Sequence, residues 1–221
     1  MSPVTSDGSQ HELDPLDGDP RLPIYFGDAW PLVSRFRDML ASEGVLRGLI
    51  GPREVARLWE RHLLNSSAVV PSLPDTGTIV DLGSGAGLPG VVVAAMRPGA
   101  HVVLLEPMSR RTEWLSEVVN KLPLPNARVV RGRAEDVVGS LSADVVTSRA
   151  VAAMDKLYRW SVPLLRVGGE LVVLKGARAN EEIEAARRVE RKLGVGQVAV
   201  REAATLDGLD ATRVVRAVRE R

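Results

Sequence analysis

The segment that most restricts the fold of this chain is 79–90, IVDLGSGAGLPG, where a short apolar run ends at an acid and gives way to four glycines. A second apolar segment, 91–96, follows at once. This order predicts a strand, a tight turn and a helix, which together form the entry to a nucleotide-type site in an open α/β sheet. Glycines allow the backbone to turn sharply and allow a ligand to lie against bare peptide groups.

The composition of the 221 residues limits the other possibilities. The length favours one α/β domain with a terminal extension. Because there is no cysteine, a disulfide framework, a thiolate zinc site and a cysteine nucleophile are excluded, and the three scattered histidines predict no metal site. No apolar run has membrane-spanning length and no signal-peptide core is present, so we expect a cytoplasmic enzyme without a membrane partner.

Three regions are predicted along the chain. Residues 1–23 are rich in Asp, Ser, Gly and Pro and are expected to be a disordered acidic tail. Residues 24–75 are expected to form a helical cap, with apolar residues at helical spacing over 27–42 and a second helix that begins at Pro52 and runs to Asn65. Residues 76–221 alternate between strand and helix patterns and are expected to form the main α/β domain, which makes one compact unit with the cap.

A seven-stranded, mostly parallel sheet is predicted for the third region. The strands are expected at 78–81, 101–106, 127–131, 143–148, 169–174, 197–202 and 212–218, and helices at 88–96, 109–121, 154–162 and 180–193. Continuous Val, Leu and Ile runs favour strands that are covered on both faces. The last two strands are expected to pair as an antiparallel hairpin at the sheet edge. The fold class is therefore α/β and Rossmann-like.

The glycine loop fits two ligands. Gly85, Gly87 and Gly90 match the pattern G-x-G-x-x-G, which is typical of dinucleotide oxidoreductases. However, the carboxylate of Asp81 would face a pyrophosphate unfavourably, whereas it suits the sulfonium or amino group of S-adenosylmethionine. No second set of strands for a nicotinamide and a substrate is visible. An S-adenosylmethionine-dependent methyltransferase is favoured, and an NAD-dependent oxidoreductase is the weaker alternative.

Two further positions are expected to bind the same cofactor. Glu106 ends the second strand, about twenty residues after the loop, where an acid accepts hydrogen bonds from ribose hydroxyls. The segment 132–136, GRAED, follows the third strand, where such folds contact adenine through a backbone group and an acidic side chain.

The residues after the fourth strand indicate the acceptor chemistry. The segment 147–150, TSRA, lacks the Asn/Asp-Pro-Pro-aromatic motif of enzymes that methylate exocyclic amines. What remains is an acceptor such as guanine N7, whose free lone pair needs no general base, so catalysis would rest on proximity and alignment. Arg149 is expected to hold the cofactor carboxylate, or a phosphate or guanine O6 of the acceptor, with a salt bridge to Asp144 or Asp155 as the structural alternative.

Other basic residues have weaker assignments. Lys175 and Arg178 follow the fifth strand at the same sheet edge and could contact RNA phosphates. His62 is interpreted as a packed, hydrogen-bonded histidine. The arginines at helical spacing are interpreted as solvated helix faces: Arg53, Arg57, Arg61, Arg110 and Arg111.

Four segments together resemble one family: RHLLNS at 61–66, DLGSGAGLPG at 81–90, SRA at 148–150 and LKG at 174–176. It is the bacterial small-subunit ribosomal RNA guanine-N7 methyltransferase family, also called glucose-inhibited division protein B. The resemblance covers about residues 25–205. It implies S-adenosylmethionine as donor and guanine 527 of 16S rRNA, free or in the small ribosomal subunit, as acceptor. In this family, loss of the enzyme is associated with low-level streptomycin resistance.

The resemblance also implies cofactor contacts at Gly83, Leu88, Ala134, Glu135 and Arg149. With the residues argued above, the predicted cofactor site comprises Asp81, Gly83, Gly85, Gly87, Leu88, Glu106, Ala134, Glu135 and Arg149. Arg149 and Lys175 are expected to position the substrate, and nothing in the sequence requires more than a monomer. The chain departs from the family in its acidic tail and at Asn65, where relatives often have Asp. A small-molecule methyltransferase and a non-catalytic ribosome-assembly factor stay open as alternatives.

Overall fold

The computed structural model describes residues 14–149 and 151–221, so residues 1–13 of the predicted tail lie outside the described residues. The helices are α1 Arg21–Phe26, α2 Trp30–Glu43, α3 Asn65–Ser67, α4 Gly90–Met96, α5 Ser109–Lys121, α6 Met154–Ser161 and α7 Ala179–Leu193. The strands are β1 Gly77–Leu82, β2 Ala100–Glu106, β3 Ala127–Arg131, β4 Ala143–Arg149, β5 Leu165–Lys175, β6 Val195–Ala203 and β7 Thr212–Arg219.

The seven strands form one sheet in the order β3-β2-β1-β4-β5-β7-β6. The first five strands pair in parallel, and β7 pairs antiparallel to both β5 and β6. This arrangement confirms the predicted mostly parallel sheet with an antiparallel hairpin at its edge. The strand order reverses next to β1, and in open α/β sheets ligands bind at the carboxyl ends of the strands beside such a reversal.

Two apolar clusters cover the two faces of the sheet. Alternate residues of β1 and β2 contribute to different clusters, Ile79 and Val102 to the first and Val80 and Val103 to the second. The first cluster also contains the buried side chains of the cap and of α4 and α5, whereas the second contains those of α6 and α7. Since both faces are buried, the strands have continuous apolar runs instead of an alternating pattern.

The second helix of the cap differs from the prediction. Instead of one helix from Pro52 to Asn65, the structure has a 3-10 helix, Pro52–Arg57, then a π-helix, Leu58–Leu64, and then α3. The break lies at Arg57, whose φ of −138° is not helical. Two residues later, the backbone N–H of Trp59 donates to the carboxylate of Asp14 at 2.9 Å. A partner that is distant in sequence therefore takes part in the break, which helical periodicity alone does not reveal.

The described part of the predicted tail is ordered, so its assignment to a disordered segment is wrong from residue 14 onward. Asp14 is buried and accepts hydrogen bonds from the backbone of Leu16 and Trp59. Asp17 accepts a hydrogen bond from the Trp59 indole at 2.9 Å and forms an ion pair with Arg37. These carboxylates suggested a solvated tail because their partners in the cap, Arg37 and Trp59, are distant in the sequence.

No helix in the described ranges combines the length and the apolar character that are needed to cross a membrane.

Candidate functional site

A cleft of about 710 Å³ opens at the carboxyl ends of β1, β2 and β3, beside β4. Seven of the residues predicted to bind the cofactor line it, namely Gly83, Gly85, Leu88, Glu106, Ala134, Glu135 and Arg149. Ala134 is buried in its wall, and Glu135 is exposed at its rim. Three other predicted site residues, Asp81, Gly87 and Lys175, do not line this cleft. The volume lies within the range of pockets that enclose small ligands and cofactors.

The glycine loop forms one wall of this cleft with its backbone. Gly83 and Gly85 adopt the left-handed conformation, with φ of +71° and +57°. The backbone N–H groups of Gly83 and Ser84 both donate to the carbonyl oxygen of Leu105, at 2.9 and 3.1 Å, which fixes the loop against β2. A Cβ on Gly83 would lie 2.9 Å from a methyl group of Val151, across the cleft. Glycine is therefore required here by both conformation and space.

Glu106 holds the loop and the start of the next segment together. Its two carboxylate oxygens accept hydrogen bonds from the backbone N–H of Gly85 at 2.9 Å and of Met108 at 3.0 Å. The residue is 2% exposed, and its remaining lone pairs border the cleft. An ionised carboxylate in this position can accept further hydrogen bonds from ligand hydroxyls, as expected for a ribose.

Asp81 lies beneath the loop and does not line the first cleft, so its contact with the cofactor stays a prediction. One carboxylate oxygen accepts the backbone N–H of Gly90 at 2.9 Å, and the other is buried without a partner in the described chain. Burial raises the pKa of Asp81 to about 7, although the Gly90 N–H and the charge of Arg149 oppose that shift. The side chain thus fixes the start of α4, the helix that follows the loop.

Gly87 likewise does not line the first cleft, and it has a packing role. Its φ is +103°, and a Cβ there would lie 2.8 Å from a methyl group of Val91 and 3.1 Å from the Phe36 ring. The glycine lets the loop pass close to α4 and to helix α2 of the cap. It therefore shapes the cleft from behind.

The cap supplies the opposite wall, which the sequence patterns did not reveal. The cap residues that line the cleft are Leu49, Ile50, Gly51, Glu54 and His62. Arg111, grouped with the solvated arginines by its helical spacing, also lines the cleft, and its Nη1 lies 3.9 Å from Glu106 Oε2. The two walls come from segments that are distant in sequence, so no local motif could have shown that they meet.

Arg149 lies between the cap and the sheet. Its Nη1 donates to the carbonyl oxygen of Arg61 at 2.9 Å, and its Nη2 donates to the ring of His62 at 3.0 Å. The structural alternative, a salt bridge to Asp144 or Asp155, is not formed among the described residues, and Asp144 pairs with Arg166 instead. Burial lowers the pKa of Arg149 to about 10, so the guanidinium keeps its charge at neutral pH.

A second cleft, of about 920 Å³, adjoins the first on the β5 side of Arg149. Arg149 and Val151 line both clefts. The charged residues around the second cleft are Arg57, Glu60, Arg61, Arg149, Lys175, Arg178, Glu181, Glu182 and Asp210. Arg57 and Arg61, interpreted from the sequence as a solvated face, therefore border a cavity.

Lys175 lies in the wall of the second cleft and not in the first. Its amine donates to the carbonyl oxygen of Ala152 and to the carboxylate of Glu182, both at 2.6 Å. Its side chain is only 9% exposed. In this conformation the lysine holds the segment after β4 and is not directed toward an external phosphate.

The described residues contain no group of three or more His, Asp or Glu side chains that could hold a metal ion.

Comparison with known proteins identifies the family of this chain. Residues 30–207 match the model of the family described as rRNA small subunit methyltransferase G. The chain belongs to this family. It is 57% identical over 162 residues to "Ribosomal RNA small subunit methyltransferase G" of Thermobifida fusca, covering 73% of this chain and 68% of that relative. It is 51% identical over 190 residues to the protein of the same name from Streptomyces coelicolor, covering 86% and 79%.

Solved structures support the fold. A precorrin-6y C5,15-methyltransferase from Geobacter metallireducens superposes with a TM-score of 0.52 at 16% identity, over 77% of this chain and 90% of that one. TYW2 of M. jannaschii, in complex with AdoMet, superposes with a TM-score of 0.54 at 18% identity, over 70% and 72%. The fold of this family member is that of S-adenosylmethionine-dependent methyltransferases, which confirms the predicted fold class and agrees with the predicted cofactor.

The first cleft also fits that cofactor chemically. Gly83 and Gly85 leave the loop backbone bare, and Glu106 offers a carboxylate for hydroxyl groups. Apolar side chains, among them Leu105 and Ala134, provide a wall on which an aromatic base can lie. The guanidinium of Arg149 can pair with a carboxylate.

Proposed function

We propose that this protein transfers a methyl group from S-adenosylmethionine to N7 of a guanine in 16S rRNA, the guanine at position 527. Membership of an rRNA small subunit methyltransferase family supports the reaction class and the RNA acceptor. The choice of N7, of 16S rRNA and of the position is the proposal, and it follows the resemblance of the four motifs.

The observation that carries the proposal is the junction between the two clefts. Only Arg149 and Val151 line both of them among the described residues. A methyl group that passes from a donor in the first cleft to an acceptor in the second must cross here. Of the described residues that line both clefts, the single ionisable one is Arg149, whose guanidinium is a hydrogen-bond donor and cannot take up a proton.

An acceptor atom that loses a proton during methylation needs a base, whereas guanine N7 carries a free lone pair at neutral pH. A junction with a donor and no base therefore supports N7 over an exocyclic amine. When bound, S-adenosylmethionine supplies an electrophilic methyl group on a sulfonium. The N7 lone pair forms the new bond to carbon as the carbon–sulfur bond breaks, so the positive charge moves from sulfur to the base.

The residues of the chain act by binding and orienting. In this proposal the glycine loop and Glu106 hold the donor, and Arg149 orients the donor carboxylate or guanine O6 at the junction. Arg57, Arg61 and Arg178 bring positive charge to the second cleft, where RNA phosphates would pass. Proximity and alignment then supply the rate enhancement.

The test is transfer of labelled methyl from S-adenosylmethionine to 16S rRNA, offered naked and as small subunits from a strain that lacks the modification. We expect label in at least one acceptor, mapped to guanine 527 by chain cleavage at N7-methylguanine. The matched control is 16S rRNA with adenine at that position. Label at another base, or equal label in the control RNA, would overturn the assignment. Methylation of small molecules alone would favour the small-molecule alternative.

A further inference from the structure

One of the two hydrogen bonds that join Arg149 of β4 to the cap is made with a histidine. His62 lies on the π-helix Leu58–Leu64, and its side chain is 11% exposed. Its Nδ1 is 3.0 Å from Arg149 Nη2, and its Nε2 is 2.8 Å from Glu54 Oε2. Both ring nitrogens are therefore engaged, one with a cation and the other with a carboxylate.

The chemistry of these partners determines the tautomer of the ring. A guanidinium carries only donors, so Nδ1 must be the acceptor in its contact with Arg149. The proton of the neutral ring is then on Nε2, from which it is donated to the carboxylate of Glu54. Burial, followed by the charge of Arg149, lowers the pKa of His62 to about 4, which keeps the ring neutral at pH 7.

A neutral acceptor has a specific advantage at this place. A carboxylate in contact with Arg149 would hold the guanidinium equally well but would compensate its charge. The imidazole nitrogen and the carbonyl oxygen of Arg61 fix the same group through two hydrogen bonds and place no counter-charge in direct contact with it. The carboxylate of Glu54 lies on the far side of the His62 ring from Arg149. Short π-helical segments also occur frequently at functional sites.

We propose that His62, held in one tautomer by Glu54, is a positioning residue that directs Arg149 toward the junction of the two clefts while placing no counter-charge in direct contact with the guanidinium. This role rests on the proposed function of the clefts as donor and acceptor sites. It extends the active site into the cap, where His62 was interpreted from the sequence as a packed histidine.

The first test reads the ring directly in the whole protein. Nitrogen-15 NMR of labelled histidine, with the His62 signal identified by its loss in His62→Asn, should show a neutral ring at pH 7 with the proton on Nε2. In Arg149→Ala the Nδ1 resonance should shift, because its donor is removed. A proton on Nδ1, or an Nδ1 resonance that is unchanged in Arg149→Ala, would overturn the proposal.

The second test compares two amides. In His62→Asn the side-chain oxygen takes the place of Nδ1 and can still accept from Arg149, whereas in His62→Gln the amide extends to the place of Nε2. We expect kcat/KM for RNA methylation within about threefold of wild type for His62→Asn, and a loss of about 10- to 100-fold for His62→Gln. Equal losses in both variants would contradict a role through Nδ1.

A double-mutant cycle separates positioning from general stabilisation. In the Arg149→Ala background, His62→Gln should add less than a twofold loss, because its effect passes through the missing guanidinium. Tyr25→Phe, which removes a hydrogen bond to Ser67 elsewhere in the cap, controls for cap stability and should leave kcat/KM near wild type. Losses that multiply in the double variant would overturn the proposal.

The two proposals fail in distinguishable ways. If the wild-type protein methylates neither RNA acceptor, the proposed function fails. The same cycle measured as the Kd for S-adenosylhomocysteine, together with the NMR tautomer, then still decides whether His62 positions Arg149. Independent effects on that Kd would overturn the positioning role.

Discussion

The two walls of the first cleft are built on different principles. The sheet wall presents backbone groups of the glycine loop, which the carboxylates of Asp81 and Glu106 hold from below and behind. The cap wall and its neighbour on β4 present side chains, with Glu54, His62 and Arg149 holding one another in a chain of hydrogen bonds.

This difference explains which wall can be recognised in a sequence. A wall made of backbone needs glycines at fixed spacing, because conformation and close approach exclude other residues. A wall made of side chains needs only that its members meet in space. Residues 54, 62 and 149 meet because the cap packs on one face of the sheet, and their spacing in the chain follows no rule.

The largest effect is expected from a substitution in the glycine loop, which forms the sheet wall. Gly83→Val would place a branched side chain at φ +71° and against Val151, so we expect the affinity for S-adenosylmethionine to fall more than about 100-fold. Isothermal titration calorimetry measures this directly. The matched control is Gly208→Val, at φ +84° with no atom within 4 Å of the new Cβ. Wild-type affinity in Gly83→Val would show that the loop does not face the cofactor.

A smaller effect is expected at Glu106, whose carboxylate holds the glycine loop of the same wall. Glu106→Ala removes the acceptor of the Gly85 and Met108 backbone N–H groups and a predicted partner of the ribose. Loss of hydrogen bonds to a charged group corresponds to about 10- to 100-fold weaker binding of S-adenosylmethionine. Glu106→Gln keeps one side-chain oxygen and should lose less. If both variants bind S-adenosylmethionine with the same affinity, the negative charge of Glu106 determines that affinity and its hydrogen-bond geometry does not.

On the acceptor side, Lys175→Ala should reduce methyl transfer by about tenfold while cofactor affinity stays within about twofold. The physical reason is release of the Ala152 carbonyl oxygen, which the Lys175 amine holds beside the junction. Initial rates of labelled methyl transfer and calorimetry give the two numbers. Lys192→Ala, on the exposed side of α7, is the control for loss of a lysine. A loss confined to cofactor affinity would contradict this prediction, because it would mean that Lys175 acts on the first cleft and not on the second.

The smallest effect concerns stability and follows from Asp81. Burial gives Asp81 a folded pKa of about 7, above the ordinary aspartate pKa of 3.8, so between these two pH values the folded protein binds a proton that the unfolded chain does not. Stability from this group is therefore complete at low pH and is lost as the pH rises through 7. Relative to Asp81→Asn, the free energy of unfolding should fall by about 1 kcal/mol from pH 5.5 to 6.5. Urea unfolding of both proteins at the two pH values measures it, and parallel pH dependences would contradict the buried, protonated state.

The sequence predicted the sheet more completely than the cap. Apolar runs and turns determine parallel strands locally, so all seven strands were predicted within a few residues of their observed ends. The cap was predicted as helical, but the change from 3-10 to π-helix at Arg57 involves the carboxylate of Asp14. A contact across more than forty residues leaves no trace in local periodicity.

The predicted site residues also differ in how far a local sequence pattern determines their position. Residues whose backbone faces the cleft, such as Gly83 and Gly85, follow from the motif, as does Glu106 at the end of β2. Asp81 and Gly87 belong to the same motif but act from beneath it, because a pattern of residue types does not state which side of the backbone a group faces. Glu54 was missed, since an acid in a helical cap has no distinguishing sequence context.

The position of β7 has a consequence for the gene. The strand that comes last in sequence among those described, Thr212–Arg219, lies inside the sheet between β5 and β6, so the sheet interior is complete only after residue 219 has been synthesised. A stop codon placed before Thr212 would spare every residue of the first cleft, yet would leave β5 and β6 without the strand that joins them. Termination just before β7 should therefore be as damaging as termination far upstream of it.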